Sequence, residues 1–384
     1  MERLDAAADP RSAIARGLYV PPSARSVADE IAGRLELRPA SAHLIVGGIG
    51  SGKTTQLLVA QEHIQQLPDI QTVYLDVSRV HDLQKLRPGV LVALAGLSFA
   101  DLLADDKSSP VADATSFFRR WAVTGGGYFP DPSEYDEPHP EWVDVPPIIA
   151  PPPAPSLTSP EGAALKSLTD ALRSRMPHVA LLIDSLDRVV EIDAFEALVR
   201  DDIALLRALG IGVVLVGPLK LLYGTWRPIA ALFDKLYQVS WIDPAEPGGR
   251  DFLTRVLRVR SPGNILSDEG LARLVEVSGG VLRDLVGLAR DAGEEAYLGG
   301  VETIGAAHAD AAADAFGRTL MLGLAADDLA TLQRLRVQGS FVPVSDRDLA
   351  LLMTGRVLEF RNGRTRYAVH PTIRPLLEQL AATP

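Results

Sequence analysis

Residues 43–55 read His-Leu-Ile-Val-Gly-Gly-Ile-Gly-Ser-Gly-Lys-Thr-Thr. From Gly47 to Thr54 the stretch satisfies Gly-x-x-x-x-Gly-Lys-Thr. An apolar, strand-like run (Leu44, Ile45, Val46) enters it, and a helix-like run from Gln56 to His63 leaves it. Glycines let a loop wrap closely, so that successive backbone N–H groups point inward at phosphate oxygens. The N-terminus of the following helix adds a fixed positive end. The spacing therefore predicts a phosphate cradle made of Gly47, Gly48, Gly50, Ser51, Gly52, Lys53, Thr54 and Thr55. Lys53 reaches the β- and γ-phosphates in such a loop, and the Thr54 hydroxyl ligates Mg²⁺. The plain alternative is a Gly-Ser turn before a helix, and the two flanking elements argue against it.

The chain has 384 residues and a net charge of −11. That length accommodates about two to three domains. The acidic balance argues against nonspecific binding of polyanions by the whole surface. There is no cysteine, which removes disulfides and thiolate metal sites and fits a cytoplasmic protein. Met1 to Asp9 is charged and Ala-rich, without the apolar core of a signal peptide. The longest apolar run, Val90 to Ala100, is too short to span a bilayer, so no membrane partner is expected.

Residues 1–40 read as a partly helical segment, with Val27, Ile31 and Leu35 at helical spacing, expected to pack on the following domain. Residues 41–243 alternate strand-like and helix-like runs: the loop above, then Thr72 to Val77, Leu91 to Leu103, His178 to Asp184, Ala194 to Leu209, Gly212 to Gly217, and Tyr237 to Ile242. Continuous apolar runs such as Val179 to Ile183 fit strands buried on both faces of a parallel sheet. The alternation predicts a doubly wound α/β domain with ligands at the carboxyl ends of its strands. Residues 107–160 interrupt it with Gly125-Gly126-Gly127, Pro146-Pro147 and Pro151-Pro152-Pro153. We read them as a Pro-rich insertion without helix or sheet. Its aromatics Trp121, Tyr128, Phe129, Tyr135 and Trp142 suggest a segment that docks on a surface.

Residues 244–325 read as helices, with Ser267-Asp268-Glu269 as a capping start. Residues 326–384 read as two helices, a hairpin and a last helix. Asn362-Gly363 between alternating arms is a type I′ hairpin signal. That order describes a small winged-helix domain.

A phosphate-binding loop of this kind needs a carboxylate for the outer shell of Mg²⁺ and an acceptor that orients the attacking water. Asp184 ends a buried apolar run, where the first role requires it, and Asp187 stands three residues on as the water-orienting group. The alternative for both is a cap on the next helix.

Here the residues resemble a known group. Ile183-Asp184-Ser185-Leu186-Asp187-Arg188 resembles the Walker B element of STAND and KAP-type P-loop NTPases, of the AAA+-related group, where two residues separate the two acids. Typical AAA+ ATPases carry Glu directly after the Asp; this chain carries Ser185. The layout over roughly residues 15–380 is similar too: nucleotide domain, helical lid, winged helix. The resemblance implies an ATP- or GTP-binding protein with slow, Mg²⁺-dependent hydrolysis. Ser278-Gly279-Gly280-Val281-Leu282-Arg283 resembles the lid segment whose arginine reaches the γ-phosphate, which implies that role for Arg283. Tyr367-Ala368-Val369-His370-Pro371 resembles the His-Pro motif of STAND winged helices, which implies that His370 contacts the β-phosphate of ADP. No arginine finger is assignable, and Lys220 is only a loose substitute for the expected polar sensor.

Three functions follow as expectations. The first is a nucleotide-controlled switch, closed with ADP and opened by ATP, acting on a protein partner or in a homo-oligomer. The second is a DNA-handling ATPase that binds duplex through Arg356, Arg361, Arg364, Arg366 and Arg374 around the hairpin. The third is an ATP-gated scaffold for a separate effector, with the insertion as its docking segment.

Overall fold

The computed structural model describes residues 10–22, 25–124, 155–189, 191–223, 229, 231–261, 263, 265–361 and 363–382. Five strands form one sheet: β1 (Ala42–Gly47), β2 (Ile70–Asp76), β3 (His178–Asp184), β4 (Gly212–Val216) and β5 (Lys235–Val239), in the order β2-β3-β4-β1-β5. The pairs β2–β3, β3–β4 and β1–β4 run parallel. Every residue of β1 and β4 is buried, which is why their sequences read as unbroken apolar runs. From β1 the chain crosses to the far edge, returns through β3 and β4, and adds β5 on the other side. This is the parallel α/β architecture expected from the alternation.

The chain divides into two compact units, one of Met1–Ser26, Gly47–Thr55 and Gln238–Pro384, the other of Val27–Val46 and Gln56–Tyr237. This division differs from the expected one at two places. Residues 1–40 do not act as one segment: Val20 joins an apolar cluster with Leu253, Leu257 and Leu274, whereas the helix Val27–Leu37 belongs to the sheet unit. Residues Gly47–Thr55, moreover, group with the C-terminal residues.

In the sheet unit the helix Val90–Leu102 is buried on most sides from Val90 to Ala100 and almost wholly apolar there, with Asp101 and Leu102 exposed at its end. Its N-cap, Gly89, has no side chain, and the orphan N–H groups of Gly89, Leu91 and Val92 donate instead to Asp202 (2.6, 2.8 and 3.4 Å). Asp202 is fully buried, and burial pushes its carboxyl up to about 7 against the pull of those three donors.

The Pro-rich reading of residues 107–160 needs correction. Ser109–Thr124 is a helix, and Phe118 and Trp121 are buried core residues that pack with the helix Val90–Leu102. Gly96 leaves room for the Phe118 ring; a Cβ there would stand 2.5 Å from it. Proline is sparse in this stretch, and Pro110 sits in the first turn, where its missing N–H is harmless. A helix follows from Pro160 to Arg175, N-capped by Ser159. Tyr128, Phe129, Tyr135 and Trp142 lie outside the described residues.

The C-terminal unit carries the helices Pro247–Arg260, Asp268–Val277, Leu282–Leu298 and Ala306–Met321, the second capped by the Ser267 hydroxyl as its sequence predicts. Then come helices Ala326–Gln338 and Asp346–Met353, the hairpin β6 (Val357–Arg361) and β7 (Thr365–Val369), and the helix Arg374–Ala382. The pairing of Arg361 with Thr365 leaves a three-residue loop, not the two-residue type I′ turn expected. Gly363 supplies the left-handed conformation (φ 75°), and Asn362 lies outside the described residues. The hairpin buries Glu359, which accepts from Gln238 (3.1 Å), Tyr367 (3.0 Å) and Arg361 (3.0 Å). A buried carboxylate requires that many partners. Among the described residues no helix is long and apolar enough to cross a membrane.

Candidate nucleotide site

The loop after β1 turns on two left-handed glycines, Gly50 (φ 72°) and Gly52 (φ 96°), before the helix Lys53–Gln65 begins. An L side chain is strained at either position. Space is short as well: a Cβ on Gly50 would lie 2.7 Å from Val281 Cγ1 and 2.9 Å from Arg283 Cβ, and one on Gly48 would overlap the Trp241 ring. The Trp241 indole N–H donates to the Ile49 carbonyl at 2.9 Å. Trp241 in turn belongs to a small core with Val281, Leu358, Phe360 and Ala368. Within this unit, then, the loop rests on the start of the helix Leu282–Leu298 and, through one indole, on the hairpin.

Lys53 is buried, and its ammonium donates to the Gly48 carbonyl at 2.9 Å. Ser51 Oγ is buried without a hydrogen-bond partner among the described residues. A buried hydroxyl left unpaired costs about 1–3 kcal/mol, which a phosphate oxygen in the cradle would relieve. Thr54 and Thr55 are half-buried at the helix start. These features fit a bound phosphate chain. No cluster of three or more His, Asp or Glu side chains suited to a metal occurs among the described residues.

In the sheet unit, Asp184 ends β3 and stands in register with Asp76 at the end of β2. Asp184 is buried; Tyr74 donates its hydroxyl to Oδ2 (2.8 Å), and the Ser185 N–H donates to Oδ1 (2.7 Å). Ser185 has φ 73° and is the one non-glycine residue with positive φ among the described residues. Such a conformation costs about 1–3 kcal/mol and persists only where its surroundings hold it. The hold here is visible: the Ser185 hydroxyl donates to Asp76 Oδ1 at 2.7 Å. Asp76 also accepts from the Ser78 N–H (3.2 Å) and hydroxyl (2.7 Å) and pairs with Arg79 (3.1 Å). Burial works to raise the Asp76 pKa, but these hydroxyls and the guanidinium hold it below the usual carboxylate range. Asp187 is half-buried in the single turn Leu186–Arg188 that follows.

No protein-family profile matches the chain. No curated protein matches it either. Among solved structures it is similar to the ORC2 protein of Aeropyrum pernix in its ADPNP-ADP complexes (12% identity, 95% of this chain and 97% of that chain, TM-score 0.45). It is likewise similar to Cdc6p from Pyrobaculum aerophilum (13% identity, 95% and 98% covered, TM-score 0.44). A third likeness is to the Thermotoga maritima RuvB Holliday junction branch migration motor (12% identity, 92% and 97% covered, TM-score 0.41).

Of the residues expected from resemblance, Arg283 lies on the second position of its helix, exposed, with its Cβ against Gly50. His370 is fully buried, its Nδ1 lies 2.8 Å from Thr372 Oγ1, and its ring meets Phe316 edge-on. Nε2 stands 3.4 Å from Asp284 Oδ2, within ion-pair range but outside hydrogen-bond geometry.

The hairpin arginines are largely engaged. Arg356 donates to the Leu320 and Leu322 carbonyls (both 2.7 Å), Arg361 pairs with Glu359 (3.0 Å), and Arg374 donates to the Val369 carbonyl (3.2 Å). Arg366 pairs with Asp243 (2.5 Å) and lies over the Phe360 ring.

Two residues of consequence went unread in the sequence. Asp76 ends an apolar strand as Asp184 does, and the parallel between Tyr74-Leu75-Asp76 and Leu182-Ile183-Asp184 was a usable signal. Trp241 carried none, because only the fold sets it on the loop.

Proposed function

We propose that the chain is a Mg²⁺-dependent P-loop NTPase that binds ATP or GTP, hydrolyses it slowly, and works as a nucleotide-controlled conformational switch. The observation that carries this reading is the seating of the loop: its glycines pack on Val281–Arg283, and its Ile49 carbonyl is held by Trp241, itself in the hairpin core. A phosphate chain entering the cradle competes with the Lys53–Gly48 bond and moves the backbone that those contacts sense. The binding loop and the C-terminal helices and hairpin therefore answer to one event.

In this reading the N–H groups of residues 48–55 and Lys53 hold the phosphates, and Thr54 and Asp184 are the metal-side groups. Asp187 orients the attacking water, and Arg283 supplies positive charge to the γ-phosphate. When bound, Mg²⁺ would supply positive charge to the phosphoryl oxygens. His370 acts through Asp284, beside Arg283, joining the end of the hairpin to the start of the lid helix. The output passes to a protein partner or a second copy of the chain. Engagement of four of the five hairpin arginines within the protein weighs against the duplex-binding alternative.

The test is the nucleotide content of gently purified protein, released by denaturation and identified by chromatography, beside Lys53→Ala. Stoichiometric ADP in the wild type, lost in the variant, is the expected result. A wild type that carries no nucleotide and does not retain added ATP overturns the proposal.

A further inference from the structure

We propose that Asp76 is a positioning residue: through Ser185 it holds the left-handed turn that orients Asp184 and sets where Asp187 begins. The inference rests on the reading of Asp184 as the metal-side carboxylate.

Three observations carry it. First, the parallel register places Asp76 directly beside Asp184 at the carboxyl ends of neighbouring strands. Second, the residue after Asp184 is neither glycine nor asparagine yet adopts φ 73°, and its hydroxyl is tethered to Asp76. Third, the Ser185 N–H, in the peptide plane shared with Asp184, donates to Asp184 Oδ1. With the tether cut, that plane is free to turn about the Asp184 Cα–C bond, and the carboxylate would lose an orienting bond. A second comes from Tyr74, on the same strand as Asp76. Both of these donors are thus anchored on β2.

Two other roles for Asp76 fit less well. As a simple cap for the short helix Val77–Val80 it needs only the Ser78 N–H, whereas the Ser185 bond joins positions 109 residues apart. As the base for the attacking water it needs a free lone pair, whereas Oδ1 already takes three donors and Oδ2 faces Arg79. A group so committed holds geometry and does not take up protons.

The test compares Asp76→Ala, Asp76→Asn, Ser185→Gly and the double variant Asp76→Ala/Ser185→Gly, with Asp184→Ala as reference, all in the full chain. The first readout is the Mg²⁺ concentration required for binding a fluorescent ATP analogue. Asp76→Ala is expected to raise it about tenfold, as loss of an outer-shell partner does. Ser185→Gly, whose backbone adopts the turn without a tether, is expected to bring the double variant back toward wild type. Asp76→Asn keeps an oxygen acceptor and is expected to retain most turnover; loss of turnover there with Mg²⁺ binding intact would make Asp76 the base and overturn the proposal. Unchanged Mg²⁺ dependence in Asp76→Ala, beside its loss in Asp184→Ala, also overturns it.

Should Asp184→Ala leave Mg²⁺ dependence unchanged, the reading of Asp184 fails, and urea denaturation then decides on the tether alone. A smaller effect of Asp76→Ala in the Ser185→Gly background supports it, and additive effects sink it.

Discussion

The indole N–H of Trp241 donates to the backbone carbonyl of Ile49 at 2.9 Å, inside the phosphate loop. Its ring fills the space that a side chain on Gly48 would need and packs with Val281 and Leu358. One side chain thus links the loop to the hairpin of the same unit. Trp241→Phe keeps most of the packing and removes the donor. We expect a loss of about 1 kcal/mol in chemical denaturation, the worth of one net hydrogen bond. Trp241→Ala opens a cavity and should lose about 3–5 kcal/mol. If the link carries the switch, Trp241→Phe also uncouples nucleotide binding from protection of the hairpin amides in hydrogen exchange.

Gly50 tests the cradle. Its φ of 72° and its approach to Val281 and Arg283 both exclude a Cβ. Gly50→Ala is expected to abolish nucleotide retention, measured as bound ADP per chain, and to destabilise by more than about 1 kcal/mol. Gly363→Ala, at φ 75° with open space around it, carries the backbone strain alone and should leave nucleotide retention intact.

Phe118 tests the corrected reading of residues 109–124. Its ring is fully buried against Gly96. Phe118→Ala should cost about 3–5 kcal/mol in urea denaturation. A change within about 0.5 kcal/mol, typical of a surface position, would show that this helix is not core.

Two buried groups set opposing pH dependences. Burial, its largest cause, lowers the His43 pKa from 6.5 to about 4, although Asp234 works to raise it. As pH falls below 6.5 the unfolded chain protonates first, so stability is lost between about pH 6.5 and 4. Asp202 is raised from 3.8 to about 7, so its contribution is complete below pH 3.8 and is lost as pH rises toward 7. At 1.36 kcal/mol per pKa unit each contribution is of order 3–4 kcal/mol, and the two partly cancel. Wild-type stability should therefore vary little between pH 4 and 7. Asp202→Asn should expose the His43 dependence, with denaturation midpoints rising steadily across that range. A midpoint for Asp202→Asn as flat as the wild type's would exclude this opposition.

Much of the sheet was legible because buried parallel strands leave unbroken apolar runs, and Ala42–Gly47, His178–Asp184 and Gly212–Val216 lie where those runs are. A helix start with a local cap was legible too: Ser267 accepts from the Gly270 N–H within its own turn. Ser109–Thr124 was misread because proline density further on, from Pro130, was spread over a stretch that contains little of it.

Within the candidate site, the sequence by itself determined the form of the loop. A buried apolar strand, glycines at left-handed positions and a helix that starts at Lys53 follow from local residue types and need no distant partner. It determined Asp184 in the same way, as a carboxylate closing an apolar run. Only the tertiary structure decided what holds these groups. The Asp76–Ser185 tether, the Trp241–Ile49 bond, the remote capping of Val90–Leu102 by Asp202 and the enclosure of His370 by Phe316 and Asp284 all join residues far apart in the chain. Periodicity and spacing report a residue's own element. Which side chain meets which across elements is set by packing, where each buried polar group must find its partner in space.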